Sequence, residues 1–169
     1  LENINLEFSD SRVDLSKKPF VTIDGKDAKD FDDAVLCEKN IEGFSLWVAI
    51  ADVAEIVNKH SEIDKEAFKR GTSIYFPDTV VPMLPEKISN NLCSLVPNEN
   101  RNVLVCKINF NSDAEVESYD FFEAIICSAK RFTYKEVFEY KKGDSEIVSS
   151  IESLKILTNK LLKNRQERS

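Results

Sequence analysis

The sequence predicts an α+β domain: a mixed, mostly antiparallel sheet with flanking helices. Three observations predict it. Apolar, β-rich runs come in pairs separated by short polar turns, the pattern of hairpins. A Ser or Thr followed three residues later by an acid marks two helix starts. The last forty residues carry apolar side chains at three- and four-residue spacing, as an amphipathic helix does.

Residues 1–17 are polar and weakly periodic, and read as a connector from an upstream region. Residues 18–23 (KPFVTI) read as a strand. Residues 34–37 and 44–51 read as two strands joined by the polar turn 39–43. Residues 61–70 predict a short helix, with Ser61 and Asp64 as a near capping box and Gly71 just past its end. Residues 74–85 are extended but broken by Pro77, Pro82 and Pro85, which excludes a central strand. Residues 103–110 and 115–127 form a second hairpin around 111–114. Thr133 with Glu136 is a cleaner capping box, opening a helix through about Tyr140. A longer helix follows residues 143–145, with Ile147, Ile151, Leu154, Leu157 and Leu161 on one stripe.

Length and composition narrow the function classes. A chain of 169 residues with 42% hydrophobic and 31% charged residues is one globular domain or part of one. Its longest nearly apolar run, residues 44–51, is far short of the ~20 needed to cross a bilayer, so no membrane association is expected. The chain opens at Leu1 and its only methionine is Met83, so it reads as a piece of something longer. Such a piece is expected to expose an apolar face where the remainder packs.

The net charge of −7 argues against broad nucleic-acid binding by the whole surface. The charge is uneven, however. Residues 1–129 hold 13 basic and 24 acidic residues, while residues 130–169 hold 10 and 6. That division could separate metal chemistry from phosphate contact. Cys37, Cys93, Cys106 and Cys127 form no C-x-x-C pair, and His60 is the single histidine, so a zinc site is poorly supplied. Buried free thiols in a reducing, cytoplasmic setting are expected. With four glycines and no G-x-G-x-x-G or Walker motif, the familiar nucleotide loops lose their support.

One segment carries chemistry. Between Asp24 and Asp33 the chain places five aspartates, Asp24, Asp27, Asp30, Asp32 and Asp33, against two lysines. Carboxylates held ~5 Å apart repel by about 3 kcal/mol per pair at an effective dielectric of 20. A divalent cation reverses that sign. Oxygen donors without His or Cys favour Mg²⁺, with Mn²⁺ as a substitute, over zinc. An EF-hand register fails, because Lys26 or Lys29 falls where a third-position oxygen donor is required. A solvated acidic turn is the inert alternative. Against it, Ile23, Phe31 and the apolar run from Ala34 anchor the segment to a core. On these residues alone, a metal-dependent phosphodiesterase or phosphatase is the chemical reading.

The same residues match a family. Thr22-Ile23-Asp24, then Asp30, Asp32 and Asp33, resembles the acidic signature of the ribonuclease II / ribonuclease R exoribonucleases, whose catalytic unit is the RNB domain. Residues 46–53 (LWVAIADV), 70–75 (RGTSIY), 82–86 (PMLPE) with 89–95 (SNNLCSL), and 131–134 (RFTY) resemble further blocks of that family, in order. Gly25 and Asp27 lie closer to its ribonuclease R branch. The resemblance implies that residues 18–169 are the first half of an RNB-type catalytic domain. It implies processive, Mg²⁺-dependent 3′-to-5′ hydrolysis of single-stranded RNA to nucleoside 5′-monophosphates. Carried over by position, Asp24, Asp30, Asp32 and Asp33 would hold metal, and Asp32 would be the aspartate most tied to catalysis. Tyr75 would stack on a base near the RNA 3′ end, and Tyr134 would lie near the terminal sugar. The implied partners are the RNA 3′ end, the second half of the catalytic domain and flanking OB-type RNA-binding domains. The isolated piece is expected to be inactive. Two alternatives remain: a non-catalytic RNA- or protein-binding module of the same fold, and a metal-dependent phosphatase.

Overall fold

A computed structural model describes residues 8, 9 and 11–168. In chain order its strands are β1 (Val13–Asp14), β2 (Val21–Asp24), β3 (Asp33–Lys39), β4 (Gly43–Ala51), β5 (Ile74–Tyr75), β6 (Val80–Val81), β7 (Asn100–Asn111), β8 (Val116–Cys127) and β9 (Lys130–Thr133). The helices are α1 (Val53–Ile56), α2 (Glu62–Arg70), α3 (Tyr134–Glu139) and α4 (Ser145–Arg168), with a π-helical turn at Ile88–Leu92. Seven strands form the main sheet in the order β1-β8-β7-β4-β3-β2-β9, while β5 and β6 form a separate hairpin. Among the strand pairs described, β1–β8 and β2–β9 are parallel and the others antiparallel. The fold is therefore the mixed, mostly antiparallel α+β arrangement that the sequence predicts.

The two predicted hairpins supply the centre of the sheet. The β3–β4 turn is held by the Asn40 side-chain oxygen, which accepts the backbone N–H groups of Glu42 and Gly43. A Cβ at Gly43 would fall 2.0 Å from the Phe110 carbonyl oxygen, so the approach of β4 to β7 requires glycine there. Alternation then sorts the side chains by face. Phe20, Ala34, Leu36, Trp47, Ala49, Val103, Val105 and Ile126 face one core, closed by Ile88 and Leu95. Burying each of the larger of these side chains contributes about 1.5–3 kcal/mol. The opposite face receives α4: Ile147 and Ile151 pack with Val21 and Phe132, and Leu157 packs with Cys37, Phe44 and Phe110. Ile50, Leu104, Tyr119 and Phe121 share this face by register and are exposed among the described residues.

Caps fix the helix starts as predicted. Ser61 accepts the Asp64 N–H, and Gly71 ends α2 in the left-handed region at φ 73°. The Asp64 carboxylate accepts from the His60 N–H, one residue before the cap. At α3 both halves of the Thr133–Glu136 capping box are present.

Several boundaries differ from the sequence expectation. Within the expected connector 1–17, residues 1–7 and 10 lie outside the described residues, but residues 12–15 belong to the folded body. Arg12 is buried and bonds Asp52 and Glu55, β1 pairs with β8, and Leu15 enters the core. The expected strand 18–23 is displaced to β2, Val21–Asp24. Residues 74–85 form only the two-residue strands β5 and β6, as their prolines require. Strand β9, helix α1 and the π-helical turn were not expected. Among the described residues no helix is long and apolar enough to cross a membrane. All four cysteines are free: Cys37 and Cys93 are buried, Cys106 and Cys127 partly so. Burial, followed by the charge of Glu38, pushes the Cys37 thiol up to about 12. Burial, followed by the charge of Asp32, pushes that of Cys93 up to about 11.

Candidate metal centre

The acidic segment leaves the sheet at Asp24, the last residue of β2, and re-enters it at Asp33, the first of β3. Between them the chain is pinned rather than draped. The Ala28 N–H donates to the Gly25 carbonyl at 3.2 Å, closing a turn. The Ser94 hydroxyl, with no accessible surface, accepts the Phe31 N–H and donates to the Lys29 carbonyl, both at 3.1 Å. The Leu95 N–H donates to the Phe31 carbonyl and the Ala51 N–H to the Asp32 carbonyl, each at 2.9 Å. Arg101 in turn holds the segment that carries Ser94, donating to the Ser94 carbonyl at 3.0 Å and the Asn91 carbonyl at 3.1 Å. A freely solvated acidic turn needs none of these ties.

The aspartates feel one another. Asp24 and Asp30 are half-buried, whereas Asp32 and Asp33 are exposed. The Asp24 carboxyl is pushed above its ordinary value, first by desolvation and then by the charge of Asp33; Arg131 opposes this, and Asp30 and Asp32 add to it. Asp32 is also pushed up, by desolvation and then by Asp30 and Asp33. The Asp24 Oδ2 atom is buried and has no hydrogen-bond partner among the described residues. A buried carboxylate oxygen without a donor is costly unless something cationic meets it.

The cluster is open, not a closed cage. Among the described residues, no three His, Cys, Asp or Glu side chains stand together as a ready-made metal-binding group. Register contributes to this: Asp33 opposes Ile50, on the sheet face away from the core side chains Ala34 and Leu36. The oxygen-only donor set and the orphaned Asp24 oxygen fit a hard divalent ion in chemistry. Completing its shell requires the carboxylates to be drawn inward.

The two tyrosines are placed differently. Tyr75, on the separate hairpin, is exposed and lies beside the cluster; its hydroxyl is pushed up by the charge of Asp30 first, then by desolvation, Asp32 and a hydrogen bond with Asp30. Tyr134 is exposed at the first position of α3, immediately after Thr133, which stands opposite Asp24 across β2 and β9. Sequence reasoning did not single out Ser94, Arg101 or Arg131 as supports of the loop. Ser94 and Arg131 sit inside quoted motif blocks, but their hydrogen bonds span 63 to 106 residues of chain. No local pattern reports them.

The chain is similar to known proteins over most of its length. Ribonuclease R of Escherichia coli is 46% identical over 175 aligned residues, covering 99% of this chain and 22% of that protein. The structure of Mycoplasma genitalium RNase R in complex with ribose methylated single-stranded RNA superposes with a TM-score of 0.91 at 39% identity, covering 96% of this chain and 27% of that one. A yeast pseudonuclease shares the fold alone, at 19% identity and a TM-score of 0.73, covering 86% of this chain and 18% of its own. The chain thus spans about a fifth of the length of the curated relatives it matches. The RNB domain family matches residues 12–169, which include the pinned acidic loop, both tyrosines and every element described above. The chain belongs to the RNB domain family.

Proposed function

We propose that this chain is the metal-binding half of the catalytic domain of a hydrolytic, processive 3′-to-5′ exoribonuclease. Its substrate is single-stranded RNA and its products are nucleoside 5′-monophosphates. The observation that carries the reading is the acidic loop itself. Backbone ties hold the segment that carries Asp24, Asp30, Asp32 and Asp33, and desolvation first and the neighbouring carboxylate charges second push the Asp24 and Asp32 carboxyls above their ordinary values. A fold tolerates such repulsion where a cation relieves it.

Asp24, Asp30 and Asp33 are the residues that would hold Mg²⁺, with Mn²⁺ as a substitute. The ion supplies Lewis acidity and neutralises phosphate charge. Asp32 would support a second metal ion or the attacking water. Tyr75 offers an exposed ring for stacking on a base near the 3′ end, as aromatic side chains do in single-strand channels. Tyr134 lies near the terminal sugar. The second half of the catalytic domain and OB-type RNA-binding domains complete the enzyme, which acts in the cytoplasm. The 169-residue piece alone is inactive.

The test is Asp32→Asn in the full-length protein. RNA hydrolysis is expected to be abolished while RNA binding stays nearly intact; full hydrolytic activity would end the assignment. A second reading, a non-catalytic binding module, is favoured by the open arrangement of the carboxylates. Retention of all four aspartates favours the enzyme. Faster turnover of p-nitrophenyl phosphate than of an oligonucleotide would point instead to a phosphatase.

A further inference from the structure

We propose that Arg131 is the positioning residue of the acidic loop: it fixes the backbone at Gly25 and Lys26, and so sets where Asp24 and Asp30 present their carboxylates to the divalent ion. This rests on the metal-site reading above. Arg131 stands opposite Thr22 in the parallel β2–β9 pair. One Nη2 group donates to the Gly25 carbonyl at 2.6 Å and to the Lys26 carbonyl at 3.0 Å. The guanidinium lies 5.5 Å from the centre of the Phe31 ring, so one side chain touches the loop near both its ends. Ser94 fixes the later part at Lys29 and Phe31. Arg131 is the matching tie on the earlier part, which among the described residues has the internal Ala28–Gly25 turn besides it. A planar, always-charged fork suits this task. A lysine ammonium keeps the charge and the donors but lacks the planar guanidinium that here bonds both carbonyls while lying near the ring.

Charge and position predict opposite signs here. Arg131 is a cation beside a cation site, so its charge alone weakens divalent binding. If Arg131 acts only through charge, Arg131→Gln tightens the site. If it positions the loop, the same change loosens it.

The experiment titrates metal-free, full-length wild-type, Arg131→Gln and Arg131→Lys proteins with Mn²⁺, reading free ion by electron paramagnetic resonance and fold by near-ultraviolet circular dichroism. Arg131→Gln is expected to weaken Mn²⁺ binding about tenfold or more, the range seen when a support behind metal ligands is removed. Arg131→Lys, which keeps the charge and gives a second reading should the glutamine variant fail to fold, is expected to remain weakened. Wild-type affinity in the lysine variant, or equal or tighter affinity in the glutamine variant, overturns the positioning role alone. No Mn²⁺ binding by the wild type overturns the metal-site reading, and the inference with it.

Discussion

The Ser94 hydroxyl accepts the backbone N–H of Phe31 at 3.1 Å, and the following backbone N–H, that of Leu95, donates to the Phe31 carbonyl at 2.9 Å. Phe31 is thereby gripped on both of its backbone groups, between Asp30 and Asp32. Ser94→Ala leaves the Phe31 donor and the Lys29 acceptor without their partner. Such a loss costs about 1–3 kcal/mol for buried groups. Urea denaturation is expected to show a lowered midpoint with unchanged slope, and RNA hydrolysis by the full-length protein is expected to fall. An unchanged midpoint would mean that the grip is incidental.

Desolvation of the loop carboxylates, with their mutual repulsion, gives a pH signature. Asp24 and Asp32 have folded-state pKa values raised above their unfolded values. The folded state bears the full penalty only where both states are ionised, above the raised folded pKa. As pH falls from there toward the ordinary aspartate value, the native state takes up protons first and the penalty fades. In metal-free protein, Asp32→Asn is therefore expected to raise Tm at pH 7, and the gain is expected to vanish near pH 4. A variant less stable than wild type at pH 7 would show that the Asp32 charge is not a burden to the fold.

Arg12 ties the start of the described domain to its body. Its side chain is 3% exposed, against 17% for Asp52 and 34% for Glu55, with Asp52 2.7 Å away. Removing one partner of a buried ion pair costs about 3–5 kcal/mol. Because these carboxylates retain solvent, Arg12→Ala is expected near the lower end, about 3 kcal/mol, by chemical denaturation. A change under about 0.5 kcal/mol, typical of surface substitutions, would place residues 12–15 outside the cooperative unit.

Tyr75 and Tyr134 differ in their surroundings, and their substitutions should differ too. Tyr75→Ala is expected to weaken binding of single-stranded RNA to the full-length protein by about 1–3 kcal/mol, the value of one stacked base. Tyr134→Phe is expected to leave RNA affinity unchanged while narrowing the discrimination between RNA and DNA ends. Fluorescence anisotropy with matched oligonucleotides reads both. Unchanged affinity for Tyr75→Ala would remove the stacking role.

Much of the fold was legible because its determinants are local. The Asn40 turn, the Ser61 and Thr133 caps and the apolar stripe from Ile147 to Leu161 each lie within a few residues of what they control. β1 and β9 were not legible because each is short and exists through a parallel partner far along the chain. The π-helical turn at Ile88–Leu92 has no sequence period of its own; Ile88 is fully buried and tertiary packing holds the turn in place. At the site, the acidic spacing exposed the candidate ligands directly. Their supports, Ser94, Arg101 and Arg131, were hidden because hydrogen bonds to backbone carbonyls leave no requirement for a complementary residue type at the other end. The openness of the cluster was not legible either. It depends on Asp33 facing the same side of the sheet as Ile50, a matter of register rather than composition.

The most direct measurement is anomalous diffraction at the manganese edge from crystals of the full-length protein equilibrated with Mn²⁺. The account predicts a peak inside the Asp24–Asp33 loop, with carboxylate oxygens about 2.1 Å away, near the Mg²⁺ distance. It also predicts that Asp24 Oδ2 is no longer without a partner. A saturated crystal with no peak there, or with all four aspartates turned outward to water, would contradict it.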